Sequence, residues 1–139
     1  MTPLFGRRAE RAAAERAADQ AVERLCSLPR AALAAEVMDA FGDEGTRWMP
    51  FTSPSLTPVA ASEWLLRGLR PQGRHLRAIQ SPVRDALRAL EDAGLLEWSG
   101  SRTISAKARL AATAPGRVAL AERSVSERVE ELEEEQEEG

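Results

Sequence analysis

The sequence predicts a mainly α-helical protein with one small β-hairpin towards its C-terminal end. Three observations carry that expectation. Apolar residues recur at helical spacing, as in Leu33, Val37 and Phe41, and again in Val83, Ala86, Leu87 and Leu90. Residues that start or stop helices, among them Pro29, Gly42, Pro58, Pro82, Gly94 and Gly116, fall between such stretches. Leu95-Leu96-Glu97-Trp98 is too short and too tightly bounded for a helix, and reads as a strand.

The elements follow in order. Arg7 to Leu25 is rich in alanine, the best helix former, and its like-charged pair Glu15 and Asp19 is offset by opposite charges nearby. Large apolar residues enter only at Val22, Leu25 and Leu28, so this helix should pack through its C-terminal end or against a second subunit. Pro29, in a first turn, should start a helix running through Ala40, with Gly42 as a left-handed cap. Asp43 to Leu56, with Gly45, Pro50 and Pro54, has no sustained period and reads as a loop. Its Trp48, Met49 and Phe51 would pin it to the core, or meet a ligand or partner.

Thr57-Pro58 is a cap followed by a first-turn proline. The helix it opens should reach about Leu69 and bury Val59, Ser62, Leu65, Leu66 and Leu69. Gln72-Gly73 turns the chain, and Leu76 and Ile79 then share a helix of one to two turns. Ser81 should cap a further helix over 82–93, with Pro82 in its first turn, an apolar face from Val83 to Leu90, and Gly94 as its stop. Ser99 to Arg102 is the hairpin tip. Thr103 to Ala112 supplies the returning strand, its register left open by Ala106, Ala108 and Ala111. After Gly116 a last helix should continue to about Glu135, with Val118, Ala121, Val125 and Leu132 in an approximate heptad that Arg128 interrupts. This is the element order of a winged helix-turn-helix with added N- and C-terminal helices.

Organisation follows from composition. Residues 1–28 form an Ala/Arg-rich helix, 29–123 the winged-helix domain with an extra N-terminal helix and the loop at 43–56, and 124–139 an acidic helix or tail. The net charge of -3 conceals an asymmetry. Up to residue 56, seven basic side chains face eight acidic ones. From 57 to 123 the balance is eleven to six, and from 124 onward it is one to eight. The middle of the chain is therefore basic and fit to meet a polyanion. The glutamate run from Glu130 to Glu138 reads as a solvated, frayed tail, or as a competitor with phosphate for the basic helix. With no run of about 18 apolar residues a membrane span is not expected. The N-terminus lacks a secretion signal, and the lone Cys26 has no disulfide partner, so the cytoplasm is the expected compartment.

Leu87-x-x-Leu90-Glu91-x-Ala93-Gly94-Leu95-Leu96 resembles the end of the recognition helix and first wing strand of winged-helix regulators of the MarR and PadR kind. Ala112-Thr113-Ala114-Pro115-Gly116-Arg117-x-Ala119-Leu120 is similar to the Thr-x-x-Gly-Arg junction after the wing in those families. The resemblance covers roughly residues 57–123. It implies a transcription regulator that binds double-stranded DNA as a homodimer through its terminal helices. One departure is that helix 82–93 is short and begins with proline, where those families present a polar, hydroxyl- and glutamine-rich face.

The candidate DNA-binding residues follow from where the arginines fall. Arg84 and Arg88, four apart, project away from the apolar face of helix 82–93, which would enter the major groove. Arg74 and Arg77 lie on the preceding short helix, where the sugar-phosphate backbone is usually met. Gln80 and Ser81 stand at the helix entrance, Arg102 near the wing tip, and Lys107 and Arg109 beside it. Arginine suits these tasks because its planar fork bonds phosphate oxygens or guanine O6 and N7 in pairs. The alternative is a winged-helix protein-interaction or scaffold module without DNA binding, its arginines merely solubilising a surface. His75 is expected to cap or flank a helix, Cys26 to be buried or at an interface, and Trp64 and Trp98 to belong to the core. The chain has no Ser-His-Asp arrangement, phosphate-cradling glycine loop or metal-ligand cluster, so neither a catalytic step nor a cofactor is expected.

Overall fold

In the computed structural model the described residues are 4–42, 55–99 and 109–138. The chain is mainly helical with a small antiparallel sheet. Helix α1 covers Leu4–Ser27 and α2 Arg30–Met38, the latter ending in a 3-10 turn over Asp39–Phe41. Strand β1 (Ser55–Leu56) leads into α3 (Pro58–Leu65) and then α4 (Gly73–Asp92). Strands β2 (Leu96–Ser99) and β3 (Arg109–Ala112) precede α5 (Ala114–Glu122) and α6 (Val125–Glu138). β3 is central in the sheet, with β1 on one side and β2 on the other. Trp98 pairs with Leu110 across β2 and β3, and Leu56 with the same Leu110 across β1 and β3. Among the described residues no helix is long and apolar enough to cross a membrane.

The core gathers around α2, which packs against α4, α6 and α3. Leu33, Val37 and Phe41 are buried on one face, as their spacing predicts. Pro29 precedes α2 as its N-cap instead of sitting in its first turn, and its carbonyl accepts the Leu33 N–H at 3.0 Å. Gly42 is extended (φ -104°, ψ -163°), not left-handed, because the 3-10 turn already closes the helix. Thr57 caps α3, its hydroxyl accepting the Ala60 N–H at 3.2 Å. That helix stops at Leu65, short of Leu69; Ser62, Leu65 and Leu66 are buried, whereas Val59 is exposed.

The largest correction concerns Ser81-Pro82. No turn separates two helices there; α4 runs unbroken for 20 residues with Pro82 inside it. Interior proline removes one hydrogen bond, costing about 3 kcal/mol, and the orphaned acceptor is the Ala78 carbonyl four residues back. The Cys26 thiol of α1 donates to that carbonyl at 3.7 Å. Ile79, Val83, Ala86, Leu87 and Leu90 form one buried face across the proline, and their burial outweighs its cost. The link between successive helices is instead residues 66–72, between α3 and α4. Cys26 thus lies at a helix contact but is exposed, not buried.

Gly94 ends α4 in a Schellman closure. Its φ is 77°, the Leu95 N–H donates to the Leu90 carbonyl at 2.9 Å, and its own N–H donates to that of Glu91 at 3.0 Å. The Thr-x-x-Gly-Arg junction is built on the same spot. The Thr113 hydroxyl donates to the Gly94 carbonyl at 2.6 Å and accepts the Gly116 N–H at 3.0 Å, so one side chain joins two helix ends. A Cβ on Gly116 would run into the Leu95 carbonyl, so only glycine fits this approach.

The expected single C-terminal helix is broken. Arg123 adopts the left-handed region (φ 56°), and the Ser124 N–H closes on the Ala119 carbonyl at 2.9 Å. The break lets Val125 and Val129 bury themselves as α6 packs on α2, while Val118 stays exposed, so the heptad does not hold. The acidic run up to Glu135 continues α6 as helix rather than fraying, with Glu130, Glu131, Glu134 and Glu135 exposed and Glu133 3.8 Å from Arg30. Trp64 is buried and Trp98 half-buried, its Nε1 donating to Glu91 at 2.9 Å.

Candidate nucleic-acid interface

Helix α4 carries most of the candidate residues, and its two faces explain where they point. His75, Ile79, Val83, Ala86, Leu87, Ala89 and Leu90 are buried. At 100° per residue, Arg77, Ser81, Arg84 and Arg88 fall within an arc of about 60° on the opposite side. All four are exposed, and the row they form spans about 16 Å along the axis. Among the described residues none of the three arginines meets a carboxylate. Asp85 and Asp92 flank the row on the α1 side and reduce its net charge. Gln80 is exposed at its other edge.

Arg74 does not join this row. It sits in the first turn of α4, not on a separate helix, and its guanidinium binds Asp19 of α1 at 2.9 Å. His75, only 2% exposed, caps the same turn. Its Nδ1 accepts the Gln72 N–H at 2.9 Å, so the ring proton sits on Nε2, which donates to Asp19 at 2.7 Å. Gln72 reaches Glu15 at 2.8 Å. The His75 hydrogen bond, reinforced by that from Arg74, holds the Asp19 carboxyl below its ordinary value of 3.8. The like-charged pair Glu15 and Asp19 on α1 is thereby accounted for: both carboxylates serve the start of α4.

Other arginines are also engaged. Arg24 binds Glu36 at 2.8 Å, which raises the guanidinium pKa further, and Arg128 reaches Glu122 at 3.4 Å. Arg67 lies over the Trp64 ring, 3.6 Å from its centre. Arg109 opens β3, exposed and engaged in an interaction of its own. Arg102 and Lys107 lie outside the described residues, as do Trp48, Met49 and Phe51.

Beside the arginine row runs a groove of about 160 Å³ between the start of α3 and the middle of α4. Pro58, Val59, Leu76 and Val83 line it with carbon, and Arg77, Gln80 and Arg84 with polar groups. Sequence reasoning missed this groove because it took Val59 as buried. Comparison with family models, with curated proteins and with solved structures finds no match to this chain.

Proposed function

We propose that this protein binds double-stranded DNA through α4 and acts as a small dimeric transcription regulator with a winged-helix domain. The observation that carries the reading is the row Arg77, Ser81, Arg84 and Arg88, exposed along one helix and free of carboxylate partners among the described residues. A helix of about 10–12 Å diameter matches a major groove about 12 Å wide. The row then faces the polyanion, and guanidinium groups supply forked contacts to phosphate or guanine. Element order supports the winged-helix part of the reading. Helix, strand, two helices and a hairpin follow one another, with the hairpin's second strand central in the sheet. The helix-turn-helix is then α3 and α4 joined by residues 66–72, and the inserted helix is Gly73–Asp92 rather than 82–93. Pairing through the terminal helices would present two copies of α4 to a two-fold site.

The test is binding of the full chain to mixed-sequence duplex, followed by fluorescence anisotropy at about 50 mM and about 200 mM salt. DNA binding predicts a steep loss of affinity between the two, because cations return to the phosphates. Absence of binding at both would favour a protein-interaction module.

A further inference from the structure

We infer that the groove between α3 and α4 reads an A·T base pair, with Gln80 on the adenine edge and Val59 against the thymine methyl. The inference rests on the DNA-binding reading and deepens it to base preference. Its starting point is Val59, a branched apolar side chain 59% exposed beside Arg77, Gln80 and Arg84. The described residues leave more than half of it uncovered. A carbon-lined recess rimmed by two guanidinium groups and one amide fits a partner that is anionic, hydrogen-bonding and locally apolar. The major-groove edge of an A·T pair has that combination. Adenine offers an N7 acceptor and an N6 donor, which a carboxamide engages in pairs, while thymine projects a methyl group. Phosphates on either side meet the rim arginines. A G·C pair presents no methyl group, and its cytosine side offers only a donor.

The experiment enriches a randomised duplex pool with the full chain, then replaces thymine by uracil in the enriched site, deleting the methyl alone. The expected result is an enriched A·T step at which uracil weakens binding about fourfold, the worth of roughly one buried methyl group. Val59→Ala should bind thymine and uracil duplexes nearly alike. Gln80→Ala should lose about tenfold of the preference for adenine at that step. Both side chains are exposed, so the fold tolerates either change. Salt-dependent binding without A·T enrichment, or with indifference to uracil, overturns this inference and leaves DNA binding standing. No binding at any salt concentration overturns both.

Discussion

The first turn of α4 and its outer face carry the same residue type in opposite circumstances. Arg74, in that turn, is held by Asp19 of α1, which also accepts a hydrogen bond from His75 Nε2. Arg84 and Arg88, further along, meet no carboxylate among the described residues. The arginines of both regions are exposed. The first is a helix junction, where charge serves docking; the second is a surface with charge to spare. Exposed arginine therefore does not by itself mark a polyanion site. What sets the outer face of α4 apart is that, among the described residues, no carboxylate is bound to its arginines, which align along one helix face. Helix α1 makes the point from the other side, since its exposed Arg8, Arg11 and Arg16 alternate with Glu10 and Glu15 and form no such row.

Substitutions can break or sharpen this contrast. The largest effect belongs to the double variant Arg84→Ala with Arg88→Ala, which should weaken duplex binding about thirtyfold in a titration at constant salt. Arg74→Ala should change it less than about twofold, because that guanidinium is already committed. An equal loss from both would erase the distinction. Asp19→Asn should sharpen it on the stability side. Asp19 has a depressed folded-state pKa, so its contribution is present above its ordinary 3.8 and lost as pH falls through the folded value. Thermal melts of the wild type should therefore lose stability below about pH 4, and the asparagine variant should show a flatter acid limb. The smallest effect is expected from Asp85→Asn, which removes a carboxylate flanking the row and should tighten binding about twofold at low salt.

How much of this was legible in the sequence depends on the range of the interaction. The Schellman end at Gly94, the Thr57 cap and the buried face of α2 are set by neighbours a few residues apart, and all were readable. Ser81-Pro82 misled because the same pair that starts helices can be carried inside one when an apolar face continues through it. Leu76, Ile79, Val83, Ala86, Leu87 and Leu90 do continue across the proline. The break at Arg123 had no glycine to announce it; packing of Val125 and Val129 on α2 accompanies it. Asp19 and Arg74 are 55 residues apart, so Arg74 looked as available as Arg84 until the two helices were seen in contact. The pair Arg84 and Arg88 was legible, because their spacing and charge both lie within 82–93; its extension through Ser81 to Arg77 was not, because a helix break was expected between them. The groove at Val59 was not, since it depends on how α3 meets α4.

The most direct measurement compares salt dependence between two double variants. Arg84→Ala with Arg88→Ala removes the free row, whereas Arg24→Ala with Arg128→Ala removes two ion-paired side chains and the same formal charge. Each phosphate contact contributes about -0.9 to the slope of log affinity against log salt. The expected slope is shallower by nearly two such increments in the first variant, and close to wild type in the second. Indistinguishable slopes would mean that net charge alone governs binding, and would contradict a specific polyanion surface on α4.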